Sequence, residues 1–188
     1  MSTALLDKQT EIKHPSRTIK DDIPVYILEF LVFAFIGWTY ETIYTSIAWG
    51  RFAERGFLHL PICPIYGFFS FFIILTLGKL KFNVPILYIL CTACIGLLEY
   101  IASYILEKCF NLELWNYSYM KFDINGRVSV VICLIFGAAC IFLLKILHPK
   151  LYKLFNKTSS KNLKIISYSL LVITIADTIY TTIFTFSK

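Results

Sequence analysis

Charge is scarce in this chain. Aspartate, glutamate, lysine and arginine make up 16% of its 188 residues, against about 25% in an ordinary soluble domain. With 57% hydrophobic residues and a mean hydropathy of +0.69, that shortage excludes a water-covered globule and leaves a membrane protein. Motifs for nucleotide or metal chemistry are lacking too: there is no Walker motif, no Gly-rich phosphate loop, no H-E-x-x-H and no G-x-S-x-G. Any ATP hydrolysis would therefore belong to another chain, and no cofactor or metal is expected. The C-x-x-C of Cys91 and Cys94 lies in an apolar run, with no histidine or further cysteine to complete a metal set, and reads as packing. Cys63 and Cys109 both fall near one predicted membrane face, and their pairing stays open.

What the sequence has in quantity is long apolar runs. Five of them, near residues 25–49, 63–80, 86–106, 128–147 and 165–186, approach the about 20 helical residues that cross a hydrocarbon core about 30 Å thick. They are continuously apolar, without the alternation of a barrel strand, and lipid offers backbone groups no partner outside their own helix. The expected fold is an all-α integral membrane protein, a bundle of five transmembrane helices in one membrane domain over 23–188. Residues 1–22 lack an apolar core and a cleavage site, and read as a polar tail; the first helix then serves as the insertion signal.

Lysine and arginine are distributed unevenly among the connections. The tail, the turn after the second run and the connection after the fourth hold most of them, including Lys8, Lys13, Arg17, Lys79, Lys81, Lys150, Lys153 and Lys157. By the positive-inside rule the amino terminus is cytoplasmic and the carboxyl terminus outside, in a multi-pass protein of the cell membrane. The net charge of +6 is then mostly an orientation signal, and nucleic acid is not an expected partner.

Three acids stand out in the apolar runs: Glu41, Glu99 and Asp177. Each precedes the predicted outer end of its helix by eight or nine residues, about 12 to 14 Å at about 1.5 Å per residue. An ionisable group at that depth costs at least about 2.5 kcal/mol unless it meets protein or water. This makes the three a candidate intramembrane proton or ion site; the plainer reading is acids neutralised between packed helices. The outer connections add Arg51, Arg55 and Arg127, suited to two-pronged binding of carboxylate or phosphate or to snorkelling towards headgroups. His59 is a candidate proton carrier or a hydrogen-bonded loop residue. Tyr66 is placed to donate to a glutamate, and Trp115, Asn116, Tyr117, Ser118 and Tyr119 form either a lid or an aromatic belt.

The stretch "RGFLHLPICPIYG", Arg55 to Gly67, is too apolar for an exposed turn. Pro61 and Pro64 resist continuous helix, and Pro64 suits a helix's first turn. A short re-entrant or tightly packed segment closing the outer mouth is expected, with a cavity beneath it, because non-helical backbone at membrane depth needs protein or a wet cavity around it.

"GWTYE", "RGFLHLPICPIYG", Glu99-Tyr100, "WNYS" and "NGR" occur here in the order seen in the CmpB family. The resemblance covers roughly residues 30 to 140. That family comprises small multi-pass proteins classed as type IV ABC-transporter permeases. It implies a permease-like role, and Glu41, Arg55, Pro61, Cys63, Pro64, Tyr66, Gly67, Glu99, Trp115, Tyr117, Ser118, Asn125, Gly126 and Arg127 match as candidate site residues. Two positions depart from the family pattern: Leu60-Pro61 replaces Gly-Pro, and Asn116 replaces an aspartate. If that aspartate is required in relatives, this chain binds without turnover or handles another ligand.

The function expected is a permease-like protein that binds a small polar or amphiphilic ligand in an outward-facing cavity. Its ligand-binding residues would be Glu41, Arg55, His59, Tyr66, Glu99, Trp115, Tyr117, Asn125 and Arg127. Membrane lipids, a second copy or partner membrane subunit, and a separate ATPase chain are the expected partners. Two alternatives stay open: a membrane enzyme using glutamate acid-base chemistry on a lipid or isoprenoid headgroup, and a non-catalytic interaction or sensory subunit.

Overall fold

The computed structural model describes residues 19–186. Most of the expected polar tail, with Lys8, Lys13 and Arg17, lies outside the described residues, as does Lys188. Six α-helices run in chain order: α1 (Ile19–Trp49), α2 (Pro64–Leu77), α3 (Val84–Phe110), α4 (Val130–Phe142), α5 (His148–Asn156) and α6 (Ser160–Phe186). A two-rung antiparallel ladder, β1 (Asp123–Ile124) with β2 (Val128–Ser129), folds the long connection before α4. The protein is an all-α membrane bundle. Among the described residues, four segments are long and apolar enough to cross a bilayer: Asp22–Trp49, Val84–Phe110, Val130–Asn156 and Ser160–Thr185. We call distal the face carrying residues 50–63 and 111–129, and proximal the opposite one.

The boundaries follow local chemistry. Asn83 caps α3 by accepting from the Ile86 amide at 3.2 Å, with Pro85 in the first turn. The helix runs past the expected residue 106 until Asn111 turns left-handed, φ 52°, and its amide closes on the Glu107 carbonyl. The fourth run also exceeds its expected end. Pro149 has no N–H for the preceding turn, and the ladder widens to a π turn over Leu143–Leu147 before α5 continues the same span. The expected lysine-rich connection is therefore largely helical, and only residues 157–159 separate α5 from α6.

The second run is where expectation and structure differ most. At 14 residues α2 is about 21 Å long, short of a core about 30 Å thick. The missing length is supplied by non-helical chain descending beside α1. The Ala53 amide donates to Ser46 Oγ at 2.9 Å, the Arg55 amide to Thr42 Oγ1 at 3.2 Å, and the Cys63 amide to the Ala34 carbonyl at 3.0 Å. From Ser46 to Ala34 that path drops about 18 Å along α1. The segment thus runs back along α1, and Pro64 opens α2 beside Ala34.

The principal core gathers Phe33 of α1, Ile73, Ile74 and Leu77 of α2, Leu87, Cys91 and Ile95 of α3, and Cys140 of α4. Cys91 thus packs, as expected, and all six thiols are free, with Cys63 buried and Cys109 exposed. Small residues set the helix spacing. A Cβ on Gly137 of α4 would overlap Thr92 of α3, so these two helices meet at a contact that only glycine permits. Gly137→Val should destabilise the bundle by about 1 to 3 kcal/mol through overpacking, lowering the apparent Tm in detergent. Ile47→Val, at a position 78% exposed, should leave it unchanged.

Candidate functional site

Two carboxylates near the distal face each meet a tyrosine. Gly37 lies one helical turn before Glu41, and its missing side chain admits the Tyr66 ring; a Cβ there would overlap it. The Tyr66 hydroxyl then donates to Glu41 Oε1 at 2.8 Å. Arg55, arriving on the descending segment, holds its Nε 3.7 Å from Glu41 Oε2. That is an ion contact and not a hydrogen bond, and the Arg55 Nε is a buried donor without an acceptor, as is Trp38 Nε1. Across the bundle Glu99 of α3, 5% exposed, accepts from the Tyr117 hydroxyl at 2.8 Å and faces the Cys133 thiol of α4 at 3.8 Å.

Tyr117 joins the two carboxylates electrostatically. Its phenol is pushed up from the ordinary tyrosine range, first by burial, then by the Glu99 charge and hydrogen bond, and also by the Glu41 charge. It stays protonated and serves as a donor. The connection that carries it is tightly organised. The Tyr117 amide donates to the Gly126 carbonyl at 2.7 Å, Trp115 Nε1 to the Arg127 carbonyl at 3.0 Å, and the Gly126 amide to Asp123 Oδ2 at 2.8 Å. Gly126 needs its left-handed φ of 68°, and a side chain there would also strike Ser118 and Asn116.

Arg127 does not reach either paired carboxylate. Its guanidinium bonds Ser103 Oγ at 3.1 Å and Glu107, between the rings of Tyr100 and Tyr104 at 5.9 and 5.5 Å. Asn125 Nδ2 donates to the Tyr100 hydroxyl at 3.2 Å. Arg127, Trp115 and Asn125 thus tie the hairpin to α3 and hold Tyr117 over Glu99. Asn116 suits its place as an amide better than an aspartate would. Its Oδ1 accepts the Ser118 amide at 2.8 Å while its Nδ2 donates to Glu113 at 2.5 Å, and a second carboxylate would repel Glu113.

Asp177 has a separate set of partners. It accepts the Leu60 amide at 3.0 Å and faces His59 Nδ1 at 3.2 Å, while that nitrogen also lies 2.8 Å from Thr181 Oγ1. Asp177 and His59 fasten the re-entrant segment to α6. A further acid in an apolar helix, Glu29, is 1% exposed and meets His148 Nδ1 at 2.9 and 3.1 Å. The sequence reading passed it over, although it lies in the same apolar run as Glu41. Its partner was hidden because His148 read as part of a polar connection.

A cavity of about 530 Å³ lies between α1, α6 and Leu60–Ile62. Its walls are almost wholly apolar, and Glu41, Arg55, Glu99 and Arg127 do not line it. The paired carboxylates close on tyrosines instead.

A bundle of apolar helices, four of its described segments long enough to cross a bilayer, defines a multi-pass membrane protein. The chain belongs to the family described as "Putative ABC-transporter type IV", whose model matches residues 28–182. No curated protein and no solved structure matches it.

Tyr117→Phe should leave the buried Glu99 with only a weak thiol donor, costing about 1 to 3 kcal/mol. In a double-mutant cycle of thermal unfolding, adding Glu99→Gln should recover part of that loss. Additive losses would show that the phenol and the carboxylate are energetically independent.

Proposed function

We propose that the protein is the membrane-embedded, non-hydrolysing part of an ABC-type transport system in the cell membrane, working with a separate ATPase chain and with a partner membrane subunit or a second copy. In this reading the distal face is outside and the amino terminus cytoplasmic. The cluster of Glu41, Tyr66, Arg55, Tyr117 and Glu99 receives a small polar or amphiphilic ligand from the outside.

The observation that carries this reading is the Arg55 Nε donor, buried, unpartnered and 3.7 Å from Glu41. A buried donor without an acceptor costs about 1 to 3 kcal/mol. An acceptor oxygen on a ligand would complete it, while the Arg55 side chain, 35% exposed, leaves a way in. Tyr66 and Tyr117 hold the carboxylates ready to exchange a phenol for a ligand donor. Family membership supplies the transport context. The lack of a nucleophile paired with a base weighs against the enzymatic alternative.

Protein purified in native-lipid nanodiscs should retain a small molecule or amphiphile, detected by untargeted mass spectrometry. Glu99→Gln and Arg55→Gln should each lose it at unchanged yield of folded protein. Identical profiles in wild type and both variants would remove the binding site. Orientation has its own readout: Cys109 is exposed at the distal end of α3. A membrane-impermeant maleimide should label it in intact cells and fail on Cys109→Ser. Labelling of Cys109 only after lysis would reverse the orientation.

A further inference from the structure

The apolar cavity is independent of the distal cluster and has a direction. Leu28, Val32 and Phe35 of α1 form one wall, and Leu170 and Ile173 of α6 the other. Its proximal end is marked by Thr158 and Leu163 and its inner end by Pro61 and Thr174. From Leu163 to Thr174 is about 16 Å along α6, close to one leaflet of a hydrocarbon core about 30 Å thick.

The inner end is closed. Leu60 and Ile62 flank Pro61 in the lining, and the neighbouring backbone is pinned by the Leu60 amide on Asp177 at 3.0 Å and the Cys63 amide on the Ala34 carbonyl at 3.0 Å. A partner's transmembrane helix would need a groove continuing across both leaflets, and this roof stops it halfway. A flexible chain as long as one leaflet fits without crossing it.

The proximal mouth is basic. Lys157 precedes Thr158, Lys161 sits in the first turn of α6, and both are exposed. The start of α6 adds the positive end of a 27-residue helix. Two acids on the adjoining part of α1 are engaged elsewhere: Asp22 accepts from Tyr152 at 2.9 Å, and Glu29 meets His148 at 2.9 Å.

We infer that this groove seats one acyl chain of an anionic phospholipid from the proximal leaflet, with its phosphate held at the mouth by Lys157, Lys161 and the start of α6. The apolar walls supply retention, and the basic mouth supplies preference for negative charge.

The test uses the full chain in detergent with an equimolar mixture of dioleoyl phosphatidylglycerol and dioleoyl phosphatidylcholine, and native mass spectrometry to count retained lipid. Wild type should keep one phosphatidylglycerol in preference to phosphatidylcholine. Removing each lysine, in Lys157→Gln and Lys161→Gln, should reduce that preference by about fivefold. Ile166→Trp, which fills the groove from a half-exposed position, should abolish retention of both lipids. Retention in the ratio of the added mixture, retention unchanged in Ile166→Trp, or a discrete dimer in place of a lipid-bound monomer overturns the assignment. The lysine variants lie on the surface and keep the test decisive if the tryptophan variant does not fold.

Discussion

Non-helical backbone inside a membrane must find every hydrogen bond within the protein, and the descending segment before α2 imposes that demand on the rest of the bundle. Ser46 and Thr42 face it because their hydroxyls accept its amides, and Ala34 lends it a main-chain carbonyl. Asp177 of α6 serves the same end: it receives the Leu60 amide. The segment in turn sets where α2 begins, and therefore where Tyr66 stands relative to Glu41. The shortness of α2 is a consequence of the descent and not a defect in its sequence.

The acids of the apolar helices follow a related rule. A carboxylate held away from water needs donors that are available at its own depth. Glu41 and Glu99 obtain phenols brought in by two different connections, one re-entrant and one hairpin-like, whereas Glu29 obtains an imidazole from the helix that follows the π turn. This distribution links each connection to a particular helix. It also means that the two connections on the distal face converge on Tyr66 and Tyr117, so movement of either would alter the donors available to the acids.

The sequence carried the helical class, the packed non-helical character of residues 55–63 and the outlying acids, because apolar length, paired prolines and charge within apolar runs are one-dimensional signals. It did not carry partnership. Arg127 looked free to hold an anion, but Ser103 and Glu107 occupy it, and their spacing on α3 matters only once the hairpin has folded back. Asp177 looked like a companion to Glu41 and Glu99 by depth, yet its contacts run to His59 and Leu60, since depth fixes height in the bilayer and leaves rotation about the bundle undetermined. Glu29 was readable as an intramembrane acid; His148 was not readable as its partner, because Pro149 and the lysines around it imitate a loop.

The same segment also divides the molecule into two chemically different halves. Towards the distal face its backbone and Arg55 border a cluster of acids and phenols, while at its lower end Leu60, Pro61 and Ile62 roof an apolar groove. Leu60 belongs to both halves: its amide bonds Asp177 and its side chain borders the groove. Leu60 adds an apolar wall without giving up its main-chain bond. A glycine in its place would keep the amide and remove the side chain that borders the groove.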